Sequence, residues 1–127
     1  MAAQLNHTIV RCRDKMRSSA FLAHILGRPA PSAFHHFMVV ALDNGVSLDF
    51  SEEREGDIAG QHYAFLIGES DFDAAFARIR ESGQPYWADP ARQRPEEINH
   101  RDGGRGVYFE DPDGHLLEIL TRPYGDA

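Results

Sequence analysis

The chain has 127 residues, 42% of them hydrophobic and 26% charged, the composition of one compact soluble domain with a real core. Thirteen basic against twenty acidic residues leave a net charge of −7 with no basic stripe, which argues against nucleic acid and anionic lipid as partners. Cys12 is the only cysteine, the start at Met1–Val10 has no signal-peptide pattern, and the longest apolar run, Phe37–Leu42, is far too short to span a bilayer. A cytoplasmic protein is the default expectation.

In chain order, Leu5–Cys12 reads as a strand with Leu5, His7, Ile9 and Arg11 on one face and Asn6, Thr8, Val10 and Cys12 on the other. Lys15–Leu26 follows as a helix, with Phe21, Leu22, Ile25 and Leu26 at helical spacing and Gly27 as its stop. Phe34–Leu42 reads as one apolar strand, which sets His35 and His36 on opposite faces. Asp43-Asn44-Gly45 signals a hairpin, Val46–Phe50 returns, and Ser51–Gly60 reads as a polar linker.

The second half repeats the order. His62–Ile67 is a strand. Ser70 is the expected cap of a helix over Asp71–Ser82, with Asp73 completing a capping box and Phe72, Ala75, Phe76 and Ile79 as its buried stripe. Gln84–Ala88 reads as a short strand and Asp89–Gly104 as a long polar loop. Gly106–Glu110 and His115–Thr121 make a hairpin across Asp111-Pro112-Asp113-Gly114, which fits a type I turn. Strand, helix and then two or three strands, twice over, predict an α+β fold of two modules with mixed sheets: one domain, with module one at about 4–56 and module two at about 60–123.

Chemistry concentrates in three residues. His7, His62 and Glu118 lie on separate strands, and two imidazoles with one carboxylate make a facial triad that leaves coordination positions open. Apolar neighbours such as Leu116, Leu120, Ala64 and Leu66 imply a dry cavity in which a bare Glu118 carboxylate is costly unless a cation offsets it. Each residue also has a plain reading: His7 as a strand histidine bonded to a backbone carbonyl, Glu118 as a partner of Arg11 or Arg122. Tyr108 shares its strand face with Gly106 and Glu110, as a site residue or as core. Arg105 could take a substrate anion bidentately or be solvated. His100 sits in the long loop where a pocket rim is expected. Tyr86 and Trp87 offer a flat wall or simply pack under the second helix. His24 reads as a surface or packing residue, and His115 as part of the turn.

The opening run Leu5-Asn6-His7-Thr8-Ile9 and the closing run Gly106–Ile119, with its Asp111-Pro112-Asp113-Gly114-His115 turn, resemble those of the vicinal oxygen chelate superfamily. That superfamily includes glyoxalase I, extradiol dioxygenases, fosfomycin thiol transferases, methylmalonyl-CoA epimerase and bleomycin-binding proteins. The resemblance implies two βαβββ modules forming a curved mixed-sheet cleft. It implies metal ligands at His7, His62 and Glu118, with Asp49 at the fourth point as ligand, catalytic base or solvated strand end. Asp49 stands where glyoxalase I has a longer carboxylate, which sets this chain apart from that enzyme. The expected cofactor is one divalent metal ion, iron, zinc, nickel or manganese. The expected activity is metal-dependent lyase, isomerase or dioxygenase chemistry on a small molecule with neighbouring oxygens, with Glu118 or Asp49 as the proton carrier. The competing class is a non-catalytic antibiotic-binding protein. The expected assembly is a homodimer whose sites are shared between chains.

Overall fold

The computed structural model describes residues 2–125. The chain divides between Ile58 and Ala59 into two compact units. Each has the same order of elements. The first runs β1 (His7–Cys12), α1 (Lys15–Leu26), β2 (Ser32–Phe34), β3 (Phe37–Ala41) and β4 (Ser47–Glu52). The second runs β5 (His62–Leu66), α2 (Phe72–Ser82), β6 (Tyr86–Trp87), β7 (Gly106–Glu110) and β8 (Leu116–Leu120). The sheets are mixed and share one topology, β1-β4-β3-β2 and β5-β8-β7-β6, with the outer pairs β1–β4 and β5–β8 parallel. This is the α+β fold of two βαβββ modules expected from the sequence.

The register follows from which face is buried. In β1 the side chains of Val10 and Cys12 are buried while His7, Ile9 and Arg11 are exposed. Val10 and Cys12 join Met38, Val40, Leu48 and Phe50 beneath Leu22, Ala23 and Ile25 of α1. In the second unit Phe65, Val107, Phe109, Leu117 and Ile119 occupy the corresponding face, with Phe72, Ala75 and Ile79 of α2 buried as well. A slip of one residue would exchange these faces, so burial of roughly 2 kcal/mol per large apolar side chain holds the pairing.

Local chemistry sets the element ends. Asp14 caps α1, its Oδ1 accepting from the amides of Met16 and Arg17 at 3.0 and 3.2 Å. Gly27 closes it in the left-handed region at φ 67°, a conformation that costs glycine nothing. At the closing hairpin the Gly114 amide bonds to the Asp111 carbonyl, and Asp111 Oδ1 accepts from the amides of Asp113 and His115 at 2.9 Å each. His115 is fully buried there, with Nδ1 accepting from the Gln61 amide at 3.0 Å.

Several expectations are corrected. The apolar run Phe34–Leu42 is two strands: Phe34 pairs with Phe37, so His35 and His36 form a two-residue hairpin turn with His35 at φ 52°. They mark a turn tip rather than opposite faces of a strand. Ser70 does not cap α2, because Glu69–Asp71 forms a 3-10 turn and Asp71 precedes the helix without a capping bond. The Asp73 carboxylate pairs with Arg105 instead of completing a box. Strand β4 runs on through Ser51 and Glu52, and Arg13 bonds to the carbonyls of Glu53 and Gly56 in the segment beyond. No helix among the described residues is long and apolar enough to cross a membrane.

Candidate metal centre

In the second unit, β5, β8 and β7 run side by side and bring three residues onto the sheet face away from the core. Ala64 pairs with Glu118, and Tyr108 pairs with Glu118 from the other side, so these positions share a face with His62 two residues before Ala64. The His62 and Tyr108 rings stack at a centroid distance of 6.0 Å. His62 Nε2 lies 3.2 Å from Glu118 Oε1.

The geometry of this pair decides its chemistry. The His62 Nδ1 sits 2.9 Å from the Leu116 carbonyl, which can only accept, so Nδ1 carries the proton. In the neutral ring Nε2 is then a bare lone pair. It faces a carboxylate oxygen, another lone pair, and no hydrogen bond joins them. Glu118 is 1% exposed, and its Oε1 is fully buried without a hydrogen-bond partner. Two acceptors turned toward each other without a proton between them suit a cation. The alternative, a protonated His62 paired with Glu118, fits the distance but not the hydrogen-bond geometry. Among the described residues Arg11 goes to Glu53 instead, and Glu118 accepts from Tyr124 and lies beside His62.

The other oxygen of Glu118 is satisfied. Oε2 accepts from the Tyr124 hydroxyl, which lies 2.6 Å from the Tyr108 hydroxyl. Arg101 Nη1 reaches Tyr108 at 2.7 Å and Tyr124 at 3.2 Å. Burial first, and the bond to Glu118 second, push the Tyr124 phenol far above its usual range. Tyr124 as a whole is 53% exposed, while its hydroxyl bonds to the buried Glu118. Tyr108 is buried at 2% exposure with its hydroxyl bonded.

The first unit carries a matching arrangement. His7 pairs in register with Ser47, and Ile9 with Asp49. In the second unit His62 pairs with Leu116, and Ala64 with Glu118. Histidine and carboxylate thus occupy equivalent positions in both modules: the carboxylate stands two residues beyond the histidine's strand partner. His7 Nδ1 lies 2.8 Å from Asn6 Oδ1, an acceptor, which leaves Nε2 bare as in His62. Asp49 is buried, and its Oδ1 accepts from the Ser47 hydroxyl at 3.0 Å. Among the described residues no three His, Cys, Asp or Glu side chains stand close enough together to hold a metal.

Other candidates lie elsewhere. Arg105 has the strand parity of Val107, on the helix side, where its guanidinium takes Glu69 and Asp73 at 2.7 Å each and covers the Phe72 ring. His100 is exposed, and the adjacent Arg101 joins the tyrosine network instead. Trp87 pairs with Tyr108 in register, while Arg92 lies over the Trp87 ring. His24 is exposed on α1. Tyr124 and Arg101 are the two residues of this cluster that sequence reasoning missed.

Comparison with known proteins shows the family of the chain. The sequence model of the "Glyoxalase/Bleomycin resistance protein/Dioxygenase superfamily" matches residues 4–119. The chain is 30% identical over 126 residues to the glutathione transferase FosA of Serratia marcescens, covering 94% of this chain and 81% of that one. It is 45% identical over 82 residues to the metallothiol transferase FosB of Shouchella clausii, a match spanning 65% of this chain but only half the length of that relative. Among solved structures, one described as oxidase ChaP-H2 superposes with a TM-score of 0.95 at 60% identity, covering 99% of this chain and 98% of that one. The chain belongs to the glyoxalase/bleomycin resistance protein/dioxygenase superfamily.

Proposed function

We propose that this chain is a cytoplasmic metal-dependent enzyme that oxidises a small molecule carrying two neighbouring oxygens, with one divalent metal ion held by His7, His62 and Glu118. The observation that carries the reading is the buried Glu118 Oε1, without a hydrogen-bond partner and 3.2 Å from a bare imidazole nitrogen. Iron is the metal that best fits two imidazoles and one carboxylate, and held by such a set it would supply dioxygen activation. The oxidative branch is favoured over lyase or isomerase work by the 60% identity to a protein named an oxidase.

The protein's own groups then have defined work. Glu118 Oε1 supplies the negative charge, and the Leu116 carbonyl fixes the His62 tautomer and ring plane. Leu116, Leu120 and Ala64 share the strand face of Glu118 and form its apolar surround. Asp49, oriented by Ser47, is the proposed proton acceptor from a substrate hydroxyl. Tyr108, beside His62, is the proposed substrate contact. Because the ligand set draws on both modules, a homodimer in which each copy completes the other's site is part of the same reading. Mixing His7→Ala chains with Glu118→Ala chains tests it: exchange should restore one metal site per heterodimer, and no recovery would mean that each chain carries its own.

Oxygen uptake tests the activity. Protein loaded anaerobically with ferrous iron should consume oxygen with some member of a panel of catechols and α-hydroxyketones, and not when metal-free. Isomerisation of a panel member by the zinc or nickel form without oxygen uptake would transfer the protein to lyase or isomerase work. Tight binding of a planar compound to metal-free protein, with release unchanged, would make it a sequestering protein.

A further inference from the structure

The hydroxyls around Glu118 form a chain whose direction can be worked out. A carboxylate oxygen only accepts, so the Tyr124 O–H donates to Oε2. With that proton committed, the Tyr108–Tyr124 contact at 2.6 Å has Tyr108 as donor and Tyr124 as acceptor. Arg101 has no acceptor to offer and donates to both phenol oxygens, at 2.7 and 3.2 Å. Every donor therefore points toward Glu118 Oε2, and the sequence of bonds ends there. Such a one-way chain polarises each member toward the carboxylate. The opposite oxygen, Oε1, is the buried atom without a partner.

The chain's last donor comes from a segment beyond the final strand. β8 ends at Leu120, and the described residues after it are mostly exposed. Tyr124 nonetheless returns its hydroxyl to a buried carboxylate. Two contacts hold it: Arg101 beneath the hydroxyl, and Asp102 Oδ2 accepting from the Gly125 amide at 3.3 Å. Both come from the 3-10 turn Arg101–Gly103 of the long loop, where Asp102 adopts φ 54°. Loop and tail fasten each other at the point where Oε2 is engaged.

We propose that Tyr124 is a positioning residue of the metal centre: it occupies Glu118 Oε2 and so leaves Oε1 as the single oxygen that Glu118 presents to the metal. The inference rests on the metal reading above. Tyr124 touches neither metal nor substrate in this account. It acts by preventing the carboxylate from turning and offering both oxygens, and Arg101 and Tyr108 act by holding Tyr124.

Cobalt(II) binding to chelator-stripped protein tests the proposal without recourse to activity. Wild type, Tyr124→Phe and Arg101→Met are titrated by calorimetry, and the visible spectrum of each cobalt form is recorded. Tyr124→Phe keeps the ring and removes only the hydroxyl from a half-exposed side chain, so it folds. The expected result is a loss of about 10–100-fold in affinity, the usual scale for a group that orients a ligand. The cobalt bands should also weaken, as the released Oε2 raises the coordination number. Arg101→Met should move both readouts in the same direction by less. Tyr124→Phe with wild-type affinity and an unchanged spectrum would overturn the proposal and leave the tail as surface packing. Wild type taking up no cobalt would remove the metal reading itself, and this inference with it, so the two failures are told apart by the wild-type titration.

Discussion

His62 Nε2 and Glu118 Oε1 face each other at 3.2 Å with no hydrogen bond between them, and Oε1 is buried. A side chain left in that state destabilises the metal-free protein, since a buried acceptor without a partner costs about 1–3 kcal/mol. Retaining the arrangement makes physical sense if a cation completes it.

The first prediction follows from that cost. Glu118→Gln places an amide donor opposite His62 Nε2 while its oxygen still accepts from Tyr124. The metal-free variant should be as stable as wild type or more stable, by up to about 2 kcal/mol in urea denaturation. Added divalent metal should raise the melting temperature of wild type and leave that of the variant unchanged. A variant much less stable than metal-free wild type would mean that Glu118 serves the fold.

Arg105 gives the opposite expectation. Its fork is taken up by Glu69 and Asp73, and its guanidinium lies 4.5 Å from the centroid of the Phe72 ring. Arg105→Ala should lower the melting temperature by on the order of a few degrees and leave metal affinity unchanged. A selective rise in substrate KM, with stability intact, would return Arg105 to the substrate.

These two residues show what the sequence does and does not reveal. Strand alternation alone placed His62 and Ala64, and Leu116 and Glu118, on matching faces of their strands, because a period of two leaves no freedom once Leu117 and Ile119 are buried, while it set Tyr108 only against Val107 and Phe109 of its own strand. Arg105 has the wrong parity for that face, which the same alternation could have indicated. Tyr124 and Arg101 had no such signal: they meet only because the tail passes back beside the long loop, and no local period encodes that return. His35 and His36 were lost inside an apolar run for a different reason. Phe34 and Phe37 flank them with strand-like residues, and the turn becomes visible only from the pairing of those two phenylalanines.

Asp49→Asn should separate proton transfer from metal binding. The amide keeps an oxygen for the Ser47 hydroxyl but cannot take a proton. Turnover should fall by about 10²–10⁴-fold with metal affinity retained, as for loss of a general base. Loss of metal together with turnover would make Asp49 a ligand.

Asp111 carries a pH signature of the closing turn. Burial pushes its carboxyl above the ordinary value of 3.8, against the pull of the His115 amide and ring and the Asp113 amide. The native carboxyl therefore holds its proton more tightly than the unfolded one. The native state binds more protons, so this group's contribution to stability falls as pH rises from 3.8 through the raised native value. Asp111→Asn keeps the oxygen that accepts from the amides of Asp113 and His115 and removes the titration. Urea midpoints across that interval should decline for wild type relative to the variant. Parallel profiles would contradict the assignment.

The most direct test of the account is an anaerobic calorimetric titration of chelator-stripped protein with ferrous iron. Wild type should bind one ion per chain, and His7→Ala, His62→Ala and Glu118→Gln should each bind at least about 100-fold more weakly. Wild type that binds no iron, or a Glu118→Gln variant that binds it as tightly, would contradict the central claim.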